Sequence, residues 1–181
     1  MEWSKIEKSL EKIEPGLKKY EHIMNRLHET DVSKDIEFQR MFNGFYKMRQ
    51  RKPEFYKEYY TLLEENKTNA ISFGIVIEHL YRKFQRIEPS FSSKMVATIN
   101  PNFPVWDEYV LTNLGLSKPA YGTKNRINKT ISLYNDIVKW YVDFLPTDDA
   151  KKMIILFNDR YKGANITDTK KIDLILWQMR G

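Results

Sequence analysis

Cysteine is absent from the chain and histidine occurs at only three of its 181 positions. The first absence excludes disulfides, thiolate zinc centres, cysteine nucleophiles and cysteine-ligated iron–sulfur clusters. His22 and His28 lie among polar neighbours with no third ligand in reach by spacing, so no metal is expected, and nothing calls for a cofactor. Glycine is sparse, and no glycine-rich phosphate loop, hairpin dipeptide, internal repeat or low-complexity tract is present. No run approaches the roughly 18 consecutive apolar residues of a membrane helix. The opening Met1-Glu-Trp-Ser-Lys-Ile-Glu-Lys8 is charged and unlike a signal peptide. A cytoplasmic protein with no membrane partner is expected.

What is present is apolar and aromatic enough for a packed core: 41% hydrophobic residues and 14% aromatics exclude a disordered chain. The length suits one domain spanning 1–181. A net charge of +6 favours polyanionic partners, DNA among them, by long-range attraction and counterion release. The basic residues fall in small groups: Lys18-Lys19, Lys47-Met-Arg49-Gln-Arg51-Lys52, Arg82-Lys83 with Arg86, and Lys124 with Arg126 and Lys129. Solvated helix faces are the plainer reading of these groups.

Periodicity is helical throughout. Trp3, Ile6, Leu10 and Ile13 recur every three or four residues, and the pattern resumes from Leu17 to Leu27 after Pro15-Gly16. Ile36 to Met48 is apolar around much of its circumference, with Ser33 or Asp35 as cap, and Arg49-Gln-Arg51-Lys52 is read as its positive C-terminal end, with phosphate contact as the second reading. Phe55 to Leu63 and Ile71 to Phe84 give two further helices, with His79 a core-edge residue. Ile127 to Phe144, Met153 to Tyr161 and Ile172 to Met179 complete the chain. The expectation is all-α, a compact domain of about eight or nine helices, with residues 1–35 as N-terminal helices, 36–116 central, and 117–181 packing on the core.

One stretch breaks the routine. Pro89-Ser-Phe-Ser-Ser-Lys94-Met-Val-Ala-Thr-Ile opens a brief helix, Pro101 and Pro104 then kink the chain, and Trp106-Asp107 precedes the next helix at Glu108-Tyr-Val110. If the prolines fold the segment back, an amine and a carboxylate 13 positions apart face one cleft. A capping Asp107 and a solvated first-turn Lys94 are the ordinary reading of the same residues.

These residues resemble the helix-hairpin-helix DNA glycosylases, the superfamily of endonuclease III, adenine glycosylase and 8-oxoguanine glycosylase, in the manner of a divergent bacterial branch. Pro89-Ser-Phe-Ser-Ser-Lys94 is similar to that family's hairpin and lysine, and Pro104-Val-Trp-Asp107-Glu-Tyr-Val110 with Leu114-Gly-Leu116 to its aspartate segment. Ser90 and Ser92 stand where the family has glycines, Glu108-Tyr109 where it has Thr-His, and the interval from Lys94 to Asp107 is about a helical turn shorter. The resemblance implies a helix-hairpin-helix fold and a DNA partner whose damaged nucleotide is flipped into a cleft. It implies Lys94 as Schiff-base nucleophile, Asp107 as stabiliser of positive charge on the sugar, and Ser90, Ser92 and Ser93 as backbone donors to a phosphate. Arg82, Lys83 and Arg86 would approach phosphates, and Trp106 would pack or stack on the extruded base. Two alternatives stay open: a nucleic-acid-binding or defence-associated module without chemistry, and a helical protein–protein interaction module.

Overall fold

In the computed structural model, described over residues 2–179, every regular element is helical. Ten helices are seen among the described residues: α1 (Trp3–Leu10), α2 (Glu14–Glu29), α3 (Ile36–Phe45), α4 (Pro53–Asn66), α5 (Phe73–Phe84), α6 (Pro89–Ile99), α7 (Glu108–Asn113), α8 (Arg126–Phe144), α9 (Asp148–Arg160) and α10 (Asp168–Gln178). None is long and apolar enough to cross a membrane. The starts follow side-chain chemistry. Asp35, Ser72, Thr147 and Thr167 each accept the N–H three residues on, satisfying donors the helix cannot use. Pro15, Pro53 and Pro89 occupy first-turn positions, where the missing N–H costs nothing.

α3 stops earlier than its pattern implies. It ends at Phe45, and Lys47 takes a left-handed backbone (φ 47°), so Arg49 to Lys52 form a loop leading into α4 rather than the positive end of a helix. The turn arises because Phe45 and Tyr46 are both drawn into the core, which the helical path cannot do for Met48 and beyond. The end of α7 needs glycine: Gly115 has φ 66°, Gly115 N–H reaches the Thr112 carbonyl at 3.1 Å and Leu116 N–H the Leu111 carbonyl at 2.9 Å. A β-carbon there would be strained.

One apolar cluster runs from Ile6 to Leu176. α6 and α10 lie deepest. Residues 91–98 of α6 and 169–176 of α10 are buried without a gap, so both helices are enclosed on all sides rather than along a stripe. α5 packs on α6 and α8, while α10 packs on α1, α7 and α9. Consequently the polar side chains within these buried spans lie among protein groups rather than water, and those surroundings define the site.

Candidate functional site

Lys94 lies in the middle of α6 and is 6% exposed. Burial disfavours the ammonium, and Arg49 repels it; the charge of Asp107 offsets part of this, and the amine is lowered from its ordinary value to about 8. Near neutrality a usable fraction of Lys94 is the free amine, the form that attacks carbonyl carbon.

The segment between α6 and α7 brings Asp107 into the cleft that Lys94 lines, where its charge acts on the amine. Two prolines deprive it of backbone donors, and side chains from three helices replace the missing regular pairing. Thr167 donates to the Pro101 carbonyl at 2.7 Å and Tyr134 to the Pro104 carbonyl at 2.9 Å, while Val105 N–H donates to Asp173 Oδ2 at 3.3 Å and Trp106 N–H to Ser93 Oγ at 2.9 Å. α6, α8 and α10 therefore all grip the connector. Trp106 is 2% exposed, its ring parallel to Phe73 at 6.2 Å, with Phe73 stacked on Tyr134 at 4.0 Å. Its Nε1 is buried with no hydrogen-bond partner among the described residues.

Lys94, Asp107, Ser90 and Trp106 line one cleft of about 440 Å³. Cations crowd its rim: Lys47, Arg49, Arg51, Arg86, Lys118 and Arg126. They are not equally available. Arg51 grips Glu88 through two bonds of 2.8 Å and Arg86 adds a third contact at 3.2 Å, which satisfies the buried Glu88 carboxylate. Lys118 pairs with Glu108. Lys47, 5.5 Å above the Trp177 ring, Arg49, and Arg126, which lies 5.6 Å from the Tyr121 ring, have no ion pair with a described residue; of the three, Lys47 and Arg49 are exposed and Arg126 half-buried.

A smaller chamber of about 30 Å³ shares Lys94 and Asp107 with the cleft and is lined as well by Val105, Lys170, Asp173 and Trp177. Lys170 Nζ donates to Asp173 Oδ2 at 2.9 Å, and Tyr141 donates to Asp173 Oδ1 at 2.6 Å. Burial is the largest influence and works against the Lys170 charge, but the Asp173 carboxylate together with Tyr46 and Tyr20 outweighs it, and the ammonium is held above its ordinary value. Burial and then Asp173 push the Tyr141 hydroxyl well up, so it remains a donor.

The structure thus brings Lys94, Asp107, Ser90, Trp106 and Arg86 to one cleft and separates the others from it. Ser92 and Ser93 point inward: Ser92 donates to the Glu88 carbonyl at 2.9 Å with its amide 3.0 Å from the same oxygen, and Ser93 holds the connector. Lys83 pairs with Glu58 at 3.4 Å and lines a neighbouring shallow groove with Arg51, Lys52 and Arg86, while Arg82 pairs with Glu78 on the exposed face of α5. Sequence reasoning singled out neither Lys47 nor Arg49 as a site residue, and missed Lys170 and Asp173. Asp173 had a signal: it interrupts the apolar run Ile172-Asp-Leu-Ile-Leu-Trp177, and a charge in a wholly buried run must be partnered. His79 sits against Glu58 at 2.6 Å, away from these groups, and no metal-binding cluster is found among the described residues. Comparison with protein-family models, curated proteins and solved structures finds no match for the chain.

Proposed function

We propose that the protein is a DNA base-excision enzyme, a glycosylase with abasic-site lyase chemistry. The observation that carries this is a buried amine, lowered to about 8, opening beside a carboxylate into a cation-rimmed cleft of about 440 Å³. The volume lies within the usual range of small-ligand pockets and accommodates a nucleoside. The similarity of the Lys94 and Asp107 segments to the helix-hairpin-helix glycosylases points the same way.

In this reading a damaged nucleotide leaves the helix stack and enters the cleft, while Arg49 and Lys47 meet its phosphates. The Lys94 amine attacks C1′ as the C1′–N bond to the base breaks, and the bonding electrons leave with the base, which takes up a proton. Asp107 offsets the positive charge that develops on the sugar. Loss of the Lys94 proton and opening of the sugar ring then give the imine. Abstraction of a C2′ proton from this imine expels the 3′ phosphate, which is the lyase step. The amine need only be neutral when it attacks, which its lowered affinity for a proton permits at pH 7 to 8.

The test is sodium borohydride capture on duplexes carrying uracil, oxidised bases or an abasic site. A covalent protein–DNA adduct that disappears with Lys94→Ala is expected. An absent adduct, or one indifferent to Lys94→Ala, contradicts the chemistry; salt-dependent binding without an adduct would mark a DNA-binding module that performs no reaction.

A further inference from the structure

A buried lysine–aspartate pair is an expensive way to fill the centre of a helical core. Replacing such a pair by apolar side chains of similar size is often neutral or stabilising, because the attraction between the charges barely offsets the loss of their hydration. Lys170 and Asp173 are 2% and 6% exposed, and their place in the fold shows a use beyond packing.

Asp173 receives three donors: Lys170 Nζ at 2.9 Å, the Tyr141 hydroxyl at 2.6 Å and the Val105 amide at 3.3 Å. The first two come from helices. The third comes from the doubly kinked connector, two residues before Asp107. That connector has no regular secondary structure, and Pro104 contributes no N–H, so Val105 supplies the first amide after the kink. The Asp173 carboxylate is satisfied on both oxygens and fixed by a long, enclosed helix, which makes it a rigid acceptor. The chamber of about 30 Å³ that both pairs line has room for a water molecule or two, not for a side chain, so the connector can shift inward if this anchor is lost.

We infer that the Lys170–Asp173 pair is a positioning element of the candidate site: by accepting the Val105 N–H, Asp173 holds the connector so that the Asp107 carboxylate stands beside the Lys94 amine. The inference rests on reading Lys94 and Asp107 as a working pair but not on what they act upon. Groups facing Lys94 come from three sides: Tyr46 and Arg49 from the end of α3 and its loop, Asp107 from the connector, and Lys170 and Asp173 from α10, with Arg51, Arg86 and Glu88 tied to one another at the rim. Arg49 repels the ammonium and Asp107 attracts it. Removing Lys170 and Asp173 together takes away one charge of each sign, leaving the geometry of Asp107 as the main variable.

The experiment needs no DNA. Lysine labelled with ¹³C and ¹⁵N reports the titration of each side chain by NMR, with Lys94 assigned from its loss in Lys94→Arg. In the otherwise unaltered protein, Asp107→Asn should lower the Lys94 midpoint by about one pH unit. In the Lys170→Met/Asp173→Leu protein the same substitution should move it by less than about a third as much, while unfolding stays cooperative. An undiminished response to Asp107→Asn in that background overturns the inference. Asp173→Asn provides the second arm. It keeps an oxygen for the Val105 amide but strands Lys170, so it should lower stability and yet preserve the response; loss of the response in step with stability would mean that the pair is structural only. If borohydride captures no DNA while the titrations behave as stated, the glycosylase reading fails and this one stands.

Discussion

Lys94 and Lys170 are two lysines sunk almost completely into one helical protein, each with an aspartate nearby, and they come out with opposite acidities. Lys170 touches its carboxylate at 2.9 Å, shares it with Tyr141 and holds its proton more firmly than a free lysine. Lys94 is governed by burial, is pressed further by Arg49, is only partly compensated by Asp107, and is lowered to about 8. Burial alone therefore does not decide what a lysine is for. A direct, hydrogen-bonded carboxylate turns it into a fixed charge, and a carboxylate acting at more of a distance leaves it easier to deprotonate.

The comparison breaks most visibly in covalent chemistry. Lys94→Ala should reduce borohydride capture to background, and Asp107→Asn should slow it about 100-fold at saturating DNA; Tyr141→Phe, which leaves the Val105 anchor in place, should change the rate by less than threefold. Equal losses from Lys94→Ala and Tyr141→Phe would erase the distinction between the two pairs.

Stability should move in opposite directions. Lys170→Met alone leaves Asp173 as an uncompensated buried charge and should cost about 3–5 kcal/mol in urea unfolding at pH 7. Lys94→Met removes an unfavourable charge. The gap between the ordinary 10.5 and about 8 sets a ceiling of about 3 kcal/mol for the gain at neutral pH. Because the folded protein binds the Lys94 proton more weakly than the unfolded chain does, this penalty is complete below pH 8. It is relieved as pH rises from about 8 toward 10.5, so the advantage of Lys94→Met should shrink over that window.

Smaller effects sharpen the roles of the surface cations. Arg49→Gln should raise the Lys94 midpoint by a fraction of a pH unit and reduce the slope of log affinity for duplex DNA against log salt by about one. Arg82→Gln, which breaks only an exposed pair with Glu78, should leave affinity within about twofold.

The helical class was legible because it rests on local chemistry, and so was the start of α3, where Asp35, one of the two caps offered, accepts the Phe38 N–H. That Lys94 and Asp107 line one cleft agrees with the fold-back that two prolines allow. Three things were hidden. The end of α3 was misplaced because burial of Phe45 and Tyr46, a tertiary matter, overrides the helical pattern that continues to Met48. Ser92 and Ser93 read as surface donors because serines are common at helix starts; enclosure of α6 turned them inward, and Ser93 became an anchor for Trp106. That Asp173 needed a partner could be read from the apolar run it interrupts, but not that Val105 is one, because their bond spans 68 residues. No local pattern encodes such a contact.

The most direct measurement is an NMR titration of isotopically labelled lysine in the intact, DNA-free protein, following Lys94 and Lys170 in the same samples. Lys94 should pass its midpoint near pH 8 while Lys170 stays protonated beyond pH 11, where exposed lysines have already lost their protons. A Lys94 that titrates with the exposed lysines near 10.5 would contradict the account.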